Sequence, residues 1–233
     1  MTDLSYQTRR LELQTYFDRT AVEAWSRLTS DAPVGRIRAT VRAGRDEMRR
    51  TLLDWLPSDL RGVRLLDAGC GTGSLAADAA RRGAHVVAVD LSPTLIGLAR
   101  ERMPTTVGAG SIDFRVGDML DPAHGRFDYA VAMDSLIHYG SDDIVRALAG
   151  LSGRVGHSIL FTFAPRTAAL ALMHAVGRVF PRGDRAPAIA PVSEEALRRR
   201  VAAQAELDAF LPARTRRIAV GFYTSQAMEL KRS

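Results

Sequence analysis

The segment at 65–73, Leu-Leu-Asp-Ala-Gly-Cys-Gly-Thr-Gly, constrains the fold of this chain most strongly. Its apolar start is typical of a buried parallel strand, and its glycines allow a sharp turn and close approach of a ligand to the backbone. A helix is predicted at 74–82 and a second strand at 85–89. That strand ends at Asp90, about 20 residues after the first glycine, where nucleotide-binding sheets place a ribose-binding carboxylate. The pattern predicts an α/β, doubly wound, Rossmann-like sheet.

The residues around the glycines favour S-adenosylmethionine as the cofactor. Asp67 stands inside the turn, where a carboxylate would repel a pyrophosphate and attract the α-ammonium group of the cofactor's methionine end. Two further strands are predicted at 112–116 and 129–133, and an aspartate follows each of them within two residues. Ten residues are predicted to bind the cofactor: Asp67, Gly69, Cys70, Gly71, Gly73, Asp90, Leu91, Asp118, Met119 and Asp134.

From about 61 to 163 these motifs resemble the class I methyltransferases. The resemblance implies that Asp118 and the Met119 backbone N–H bind the adenine edge. Another nucleotide-binding doubly wound sheet is the alternative. A fifth strand at 158–163 and an antiparallel hairpin at 214–220 and 223–230 would close the sheet.

The first 57 residues form a helical appendage that the cofactor fold does not require, and residues 58–233 form the predicted methyltransferase domain. A capping box from Thr20 to Glu23 indicates a break before a short helix that contains Trp25. A longer helix at 37–55 has an apolar face, and its arginines populate the other faces: Arg38, Arg42, Arg45, Arg49 and Arg50. This helix could contact a membrane or pack on the domain with a solvated basic face; both interpretations stay open.

Composition limits the function only broadly. The formal net charge of +6 is compatible with an anionic partner, whether a carboxylated substrate, an acidic membrane or nucleic acid. Nucleic-acid methylation fits poorly, because Asp134-Ser-Leu-Ile-His138 replaces the Asp-Pro-Pro-Tyr loop expected for base methylation. A single cysteine, the polar N-terminus and the absence of a spanning apolar run predict a cytoplasmic protein. A hydrophobic substrate would bring it to the periphery of the inner or photosynthetic membrane.

Several motifs outside the cofactor core carry a more specific resemblance. They are Tyr16-Phe-Asp18, Arg42-Ala-Gly-Arg45, Asp67 to Leu75, Leu136-Ile-His-Tyr139 and Phe163-Ala-Pro-Arg166. Together they resemble the magnesium-protoporphyrin IX O-methyltransferases of chlorophyll and bacteriochlorophyll biosynthesis. The resemblance implies methyl transfer from S-adenosylmethionine to the ring-C propionate of magnesium protoporphyrin IX. Magnesium would arrive in the porphyrin and not as a protein-bound metal, and the porphyrin-binding subunit of a magnesium chelatase is implied as a delivery partner.

The same resemblance suggests residues for catalysis and for substrate binding. His138 and Tyr16 are the predicted catalytic residues, and core packing is the alternative for each. His138 could bind the propionate or ligate magnesium, and the sequence does not choose between them. Substrate contacts are predicted from Tyr139, Arg166 and Arg182, with 164–191 as a substrate-covering segment. The remaining histidines are predicted to be structural or solvated: His85, His124 and His157.

Two other functions fit the sequence. A methyltransferase acting on another small molecule would retain the cofactor motifs. A non-catalytic porphyrin carrier would retain only the fold.

Overall fold

A computed structural model describes residues 3–19, 35–103, 108–166 and 189–233. The helices in these ranges are α1 (Asp3–Arg19), α2 (Arg36–Asp54), α3 (Ser74–Arg81), α4 (Pro93–Arg102), α5 (Ser141–Ser152) and α6 (Glu194–Ala202). The strands are β1 (Arg64–Ala68), β2 (His85–Asp90), β3 (Ser111–Val116), β4 (Phe127–Ala132), β5 (Val155–Phe163), β6 (Phe210–Val220) and β7 (Tyr223–Arg232). Short 3₁₀ turns cover Pro122–His124, Leu136–His138 and Ala205–Leu207.

The seven strands form one sheet in the order β3-β2-β1-β4-β5-β7-β6. The first five are parallel, and the β6–β7 hairpin closes the sheet in antiparallel register against β5. The predicted α/β doubly wound sheet and its closing hairpin are confirmed. Sequence order reverses at β1, because β2 lies on one side of it and β4 on the other. This is the switch point at which open α/β sheets bind ligands.

Alternate residues of the central strands enter two separate cores, one on each face of the sheet. Leu65, Val131 and Leu160 pack on the side of α2, α3 and α4. Their neighbours Leu66 and Ala130 pack on the opposite side, with α5 and α6. Burial on both faces explains why these strands read as continuous apolar runs.

The N-terminal appendage is helical where it is described, as predicted. The capping box from Thr20 to Glu23 and Trp25 lie outside the described residues, and so does most of the substrate-covering segment at 164–191. The division at 57 and 58 stays a prediction. Within the described ranges, each helix is too short or too polar to cross a membrane.

Candidate functional site

A cavity of about 670 Å³ opens at the carboxyl ends of the central strands. The glycine loop after β1, the ends of β2 and β3, and the loop after β4 line it, and α1 and α2 complete its walls. The strand ends therefore bring nine of the ten predicted cofactor residues to one place, although they are spread over more than 60 positions of the chain. The tenth, Gly73, does not line the cavity and faces the ring of Phe114.

The glycine loop has the left-handed backbone that its sequence predicts. Gly69, Gly71 and Gly73 have φ values of 82°, 55° and 78°. A Cβ at Gly69 would also overlap the side chain of Ser135. The loop therefore packs directly against the segment that follows β4.

Asp67, at the base of this loop, is buried, and one of its carboxylate oxygens has no hydrogen-bond partner among the described residues. Burial and the nearby Asp90 raise the pKa of Asp67 to about 7, against the effect of a hydrogen bond from the Ala76 N–H. An ammonium group beside the unpartnered oxygen would relieve both unfavourable effects. These residues thus fit the amino-acid end of S-adenosylmethionine.

Asp90 stands at the end of β2, as predicted. Its Oδ2 accepts the Gly71 N–H at 2.8 Å, and its Oδ1 accepts the Ser92 N–H at 2.9 Å. Burial raises the pKa of Asp90 despite these two bonds. Each carboxylate oxygen has two lone pairs and can also accept a ribose hydroxyl. Leu91 lines the cavity beside it.

Helix α1 contacts the carboxylate that was predicted to bind adenine. The Tyr6 hydroxyl donates to Asp118 Oδ1 at 3.2 Å, and Arg10 donates to Oδ2 at 2.8 Å. Asp18, at the other end of α1, accepts the hydroxyl of Ser92. The appendage therefore contacts Asp118 of the predicted adenine site and Ser92, which follows the predicted ribose site at Asp90. Met119 also lines the cavity.

The loop after β4 forms the opposite wall of the cavity. His138 is buried there, and its backbone carbonyl accepts the Arg9 Nε–H at 2.9 Å. Tyr139 stacks on Tyr6 with ring centroids 5.3 Å apart. Because Tyr6 bonds to Asp118, Tyr139 lies on the adenine side. Its predicted substrate contact stays a prediction.

Asp134 also lines the cavity, but its carboxylate is already held by the protein. Its Oδ2 accepts Arg45 Nη1 at 2.8 Å, and its Oδ1 accepts the hydroxyls of Tyr223, Ser225 and Thr162 at 3.0 to 3.3 Å. Direct cofactor binding by this side chain would compete with these donors. The predicted cofactor contact of Asp134 stays a prediction.

The basic helix α2 contributes to the cavity and not only to the outer surface. Arg42, Arg45 and Arg49 line it, whereas Arg38 and Arg50 are exposed. Arg49 pairs with Asp46 and Asp78. Helix α2 packs on the domain, across α3 and the β6–β7 hairpin, and this packing brings its three inner arginines to the cavity.

Of the predicted catalytic and substrate-binding residues, three lie apart from the cavity lining or outside the described residues. Tyr16 is partly buried, and the part of α1 that lines the cavity contributes Tyr6 and Leu13 instead. Arg166 is exposed, and Arg182 lies outside the described residues. Sequence reasoning missed Tyr6, although its seven-residue spacing from Leu13 places both on one helical face. The predicted roles of Tyr16, Arg166 and Arg182 stay predictions.

The surroundings of Cys70 and of three histidines fit structural roles for these residues. Burial, followed by the nearby Asp67 and Asp90, raises the pKa of the Cys70 thiol, which disfavours a reactive thiolate. His124 bonds to the Asp118 carbonyl at 2.8 Å, and His85 bonds to Ser111 at 2.9 Å. The remaining one, His157, packs near Tyr129. In the described part of the chain, no group of three or more His, Cys, Asp or Glu side chains could hold a metal ion.

Two family models match the chain. The family described as magnesium-protoporphyrin IX methyltransferase C-terminus matches residues 132–232, and a methyltransferase domain matches residues 65–155. The first match includes the His138 loop and the closing hairpin. The second includes the glycine loop and the strands beside it.

Similarity to individual proteins extends over nearly the whole chain. The magnesium-protoporphyrin O-methyltransferase of Rhodobacter capsulatus is 47% identical over 227 residues, which cover 97% of this chain and 98% of that protein. The Synechocystis enzyme of the same name is 28% identical, with 95% of each chain covered.

A solved structure gives the same result for the fold. The magnesium protoporphyrin IX methyltransferase from Synechocystis PCC 6803 with bound S-adenosylhomocysteine has a TM-score of 0.83. It is 26% identical, and the match covers 96% of this chain and 99% of that structure. The chain therefore belongs to the magnesium-protoporphyrin O-methyltransferase family.

Proposed function

We propose that the chain transfers the methyl group of S-adenosylmethionine to a propionate carboxylate of magnesium protoporphyrin IX. The products are the monomethyl ester and S-adenosylhomocysteine. The ring-C propionate is the acceptor that the family resemblance implies. Membership of the family supports the reaction, and the unpartnered oxygen of Asp67 supports the fit of the cofactor.

The order of the strands indicates how the cofactor would lie. The predicted adenine, ribose and ammonium carboxylates lie at or just beyond the carboxyl ends of β3, β2 and β1, which are adjacent in the sheet. Asp118, Asp90 and Asp67 would therefore hold the cofactor across three strand ends. The next strand is β4, and its loop carries His138. The acceptor would approach from this loop.

The reaction depends on the orientation of the propionate more than on a general base. S-Adenosylmethionine, when bound, supplies an electrophilic methyl group. A propionate with a pKa of roughly 4.3 arrives as the anion, so no protein group has to remove a proton. Its oxygen bonds to the methyl carbon as the carbon–sulfur bond breaks. His138 can donate a hydrogen bond to the other carboxylate oxygen and hold the anion in line with the methyl group.

From the raised pKa of Asp67 we expect both the stability of the protein and its binding of the cofactor to depend on pH. Its folded pKa of about 7 lies above the ordinary value of 3.8, so its contribution to the stability of the cofactor-free protein is complete below pH 3.8. That contribution is lost as the pH rises through 7. Asp67→Asn should therefore stabilise the cofactor-free protein at pH 8 by about 1 to 4 kcal/mol, measured by urea unfolding.

The same variant should bind S-adenosylhomocysteine about tenfold to a hundredfold more weakly, because the ammonium group loses its carboxylate. Wild-type binding at pH 6 should release a proton from Asp67, and the variant should not show this release. Calorimetry in buffers of different ionisation enthalpy measures both quantities. Equal proton release by the two proteins would contradict the assignment of Asp67.

Product analysis tests the proposed reaction. The protein is incubated with magnesium protoporphyrin IX and S-adenosylmethionine, and the porphyrin is analysed by mass spectrometry and ester hydrolysis. We expect one added methyl group as an alkali-labile ester. Magnesium protoporphyrin dimethyl ester is the matched control, because it lacks a free propionate. Porphyrin binding without methyl transfer would favour a non-catalytic porphyrin carrier. Methylation of a different small molecule, with none of the porphyrin, would favour a methyltransferase with another substrate.

We also propose a place and a partner for this reaction. The chain would work in the cytoplasm, at the periphery of the inner or photosynthetic membrane, and would receive its porphyrin from the porphyrin-binding subunit of a magnesium chelatase. The flat apolar substrate supports a membrane-adjacent site. Phe222, exposed at 58% on the β6–β7 turn, is a candidate contact. Co-sedimentation with vesicles, with Phe222→Ser as the variant, tests the membrane contact.

A further inference from the structure

The turn after β3 carries the two groups that are predicted to bind adenine, the carboxylate of Asp118 and the N–H of Met119. Its backbone carbonyls, in contrast, are bonded to the protein. The Asp118 carbonyl accepts His124 Nε2 at 2.8 Å and the Asp121 N–H at 3.0 Å. The carbonyls of Met119 and Asp121 accept Arg154 at 3.3 and 2.9 Å. Two side chains therefore hold three carbonyls of this turn.

The N–H groups of the same turn are used differently. The Leu120 N–H donates to Asp118 Oδ1 at 2.9 Å, and this bond fixes the carboxylate relative to the turn. The Met119 N–H has no protein acceptor among the described residues. Because Met119 lines the cavity, this N–H is the donor that a nucleobase nitrogen can use.

His124 is buried, and both of its ring nitrogens have partners. A carbonyl only accepts hydrogen bonds, so Nε2 carries the proton that it donates to Asp118. Nδ1 lies 3.3 Å from Arg115 Nη1, which only donates, so Nδ1 is the acceptor of this pair. Arg115 also pairs with Asp113 of β3 at 2.7 Å. Strand β3 therefore orients the histidine, and the histidine orients the turn that follows the strand.

Arg154 holds the turn from another part of the fold. It lies between α5 and β5, 35 positions after Met119. Its own carbonyl accepts the Phe127 N–H at 2.8 Å, which ties it to the start of β4. Leu120 packs in the same region, because a Cβ at Gly150 of α5 would lie 3.3 Å from its side chain. The turn is thus held between β3 and the junction of α5 with β5.

We propose that His124 and Arg154 are positioning residues that set the nucleobase specificity of the cofactor site. This inference rests on the proposed cofactor. Neither side chain belongs to the described lining of the cavity, so both act through the turn and not on the ligand. Adenine offers its amino group to the Asp118 carboxylate and a ring nitrogen to the Met119 N–H, and both bonds require a fixed spacing of these two groups. Hypoxanthine would place a carbonyl oxygen, a second acceptor, against the carboxylate.

Two ligands that differ only at the base test the role of His124. S-Adenosylhomocysteine carries adenine, whereas S-inosylhomocysteine carries hypoxanthine. Calorimetry should show that the wild-type protein binds the adenine ligand about tenfold to a hundredfold more tightly. His124→Leu should weaken S-adenosylhomocysteine by about threefold to thirtyfold and S-inosylhomocysteine by less than about twofold, so the preference should shrink. His124→Gln should keep most of the preference, because its amide N–H can still donate to the Asp118 carbonyl.

Arg154 should show the same selectivity. Arg154→Met should reduce the preference for adenine, and Arg154→Lys should retain part of it by donating to one of the two carbonyls. Two matched controls should keep the wild-type preference: His85→Leu, at the start of β2, and Arg126→Met, at an exposed position. Amide hydrogen exchange at Asp121, whose N–H donates within the turn, should be faster in His124→Leu and in Arg154→Met.

An unchanged preference in folded His124→Leu and Arg154→Met would overturn the inference, whether both affinities fall equally or stay at the wild-type values. A wild-type protein without any preference would refute the adenine assignment and this inference with it. A protein that shows the selective loss but methylates no porphyrin would refute the proposed reaction and leave the role of these two residues standing.

Discussion

Replacing His138 by alanine should lower turnover by about tenfold to a thousandfold, with much less change in cofactor affinity. The histidine is buried on the loop after β4, beyond the three strand ends that would hold the cofactor. Its loss would leave the propionate poorly oriented. His138→Gln should retain more activity than His138→Ala, because an amide can still donate a hydrogen bond and no proton has to be removed.

Turnover at saturating cofactor and porphyrin measures this effect, and calorimetry with S-adenosylhomocysteine reports cofactor binding separately. His157→Ala is the matched control, because His157 is exposed near Tyr129. Nearly unchanged turnover in a folded His138→Ala protein would return this residue to a packing role. An acid limb of the pH profile that disappears in His138→Gln would show that protonation of His138 matters.

Tyr16→Phe should also reduce turnover more than cofactor affinity if the predicted catalytic role holds. Tyr6→Phe provides an informative comparison, because Tyr6 lines the cavity and bonds to Asp118. That change should act mainly on cofactor affinity. A loss of turnover confined to Tyr6→Phe would move the functional tyrosine of α1 from 16 to 6.

The second large effect is expected at Asp90. Asp90→Ala should weaken S-adenosylhomocysteine by about 2 to 4 kcal/mol, because two charge-assisted bonds to the ribose hydroxyls are lost. The change also removes the acceptor of the Gly71 N–H, which holds the glycine loop. Calorimetry measures the affinity. Asp59→Ala, in the exposed turn before β1, is the matched control and should bind normally.

An unchanged affinity in folded Asp90→Ala would reject the ribose assignment. Asp90→Asn separates the two contributions, because an amide oxygen can still accept the Gly71 N–H. Amide hydrogen exchange at Gly71 reports the order of the loop. If Asp90→Asn restores this order but not the affinity, the loss of affinity comes from the ribose contacts.

The sequence predicts the cofactor half of the fold well because its signals are local. The apolar strands, the helix at Ser74–Arg81 and the left-handed glycines each follow from neighbouring residues, and the structure confirms them. The positions of the carboxylates at 67, 90 and 118 can also be predicted, because parallel strands end at one edge of the sheet. Their meeting in one cavity required no knowledge of distant contacts.

The other half of the site depends on contacts between distant parts of the chain. Tyr6 and Asp118 are 112 positions apart, and Arg45 and Asp134 are 89 apart. A helical pattern indicates that α2 has an apolar face, but it does not tell which strand end this helix or α1 covers. For this reason the sequence predicts Asp134 at the cofactor site but does not predict the ion pair with Arg45 that the structure shows.

A crystal structure with S-adenosylhomocysteine tests the central claim most directly. The cofactor should lie across the ends of β3, β2 and β1, with its adenine amino group on Asp118 and a ring nitrogen on the Met119 N–H. Its ribose hydroxyls should bind Asp90, its ammonium group should bind Asp67, and its sulfur should face the loop of His138. A product molecule bound with its adenine away from Asp118 and its sulfur away from the β4 loop would contradict this account.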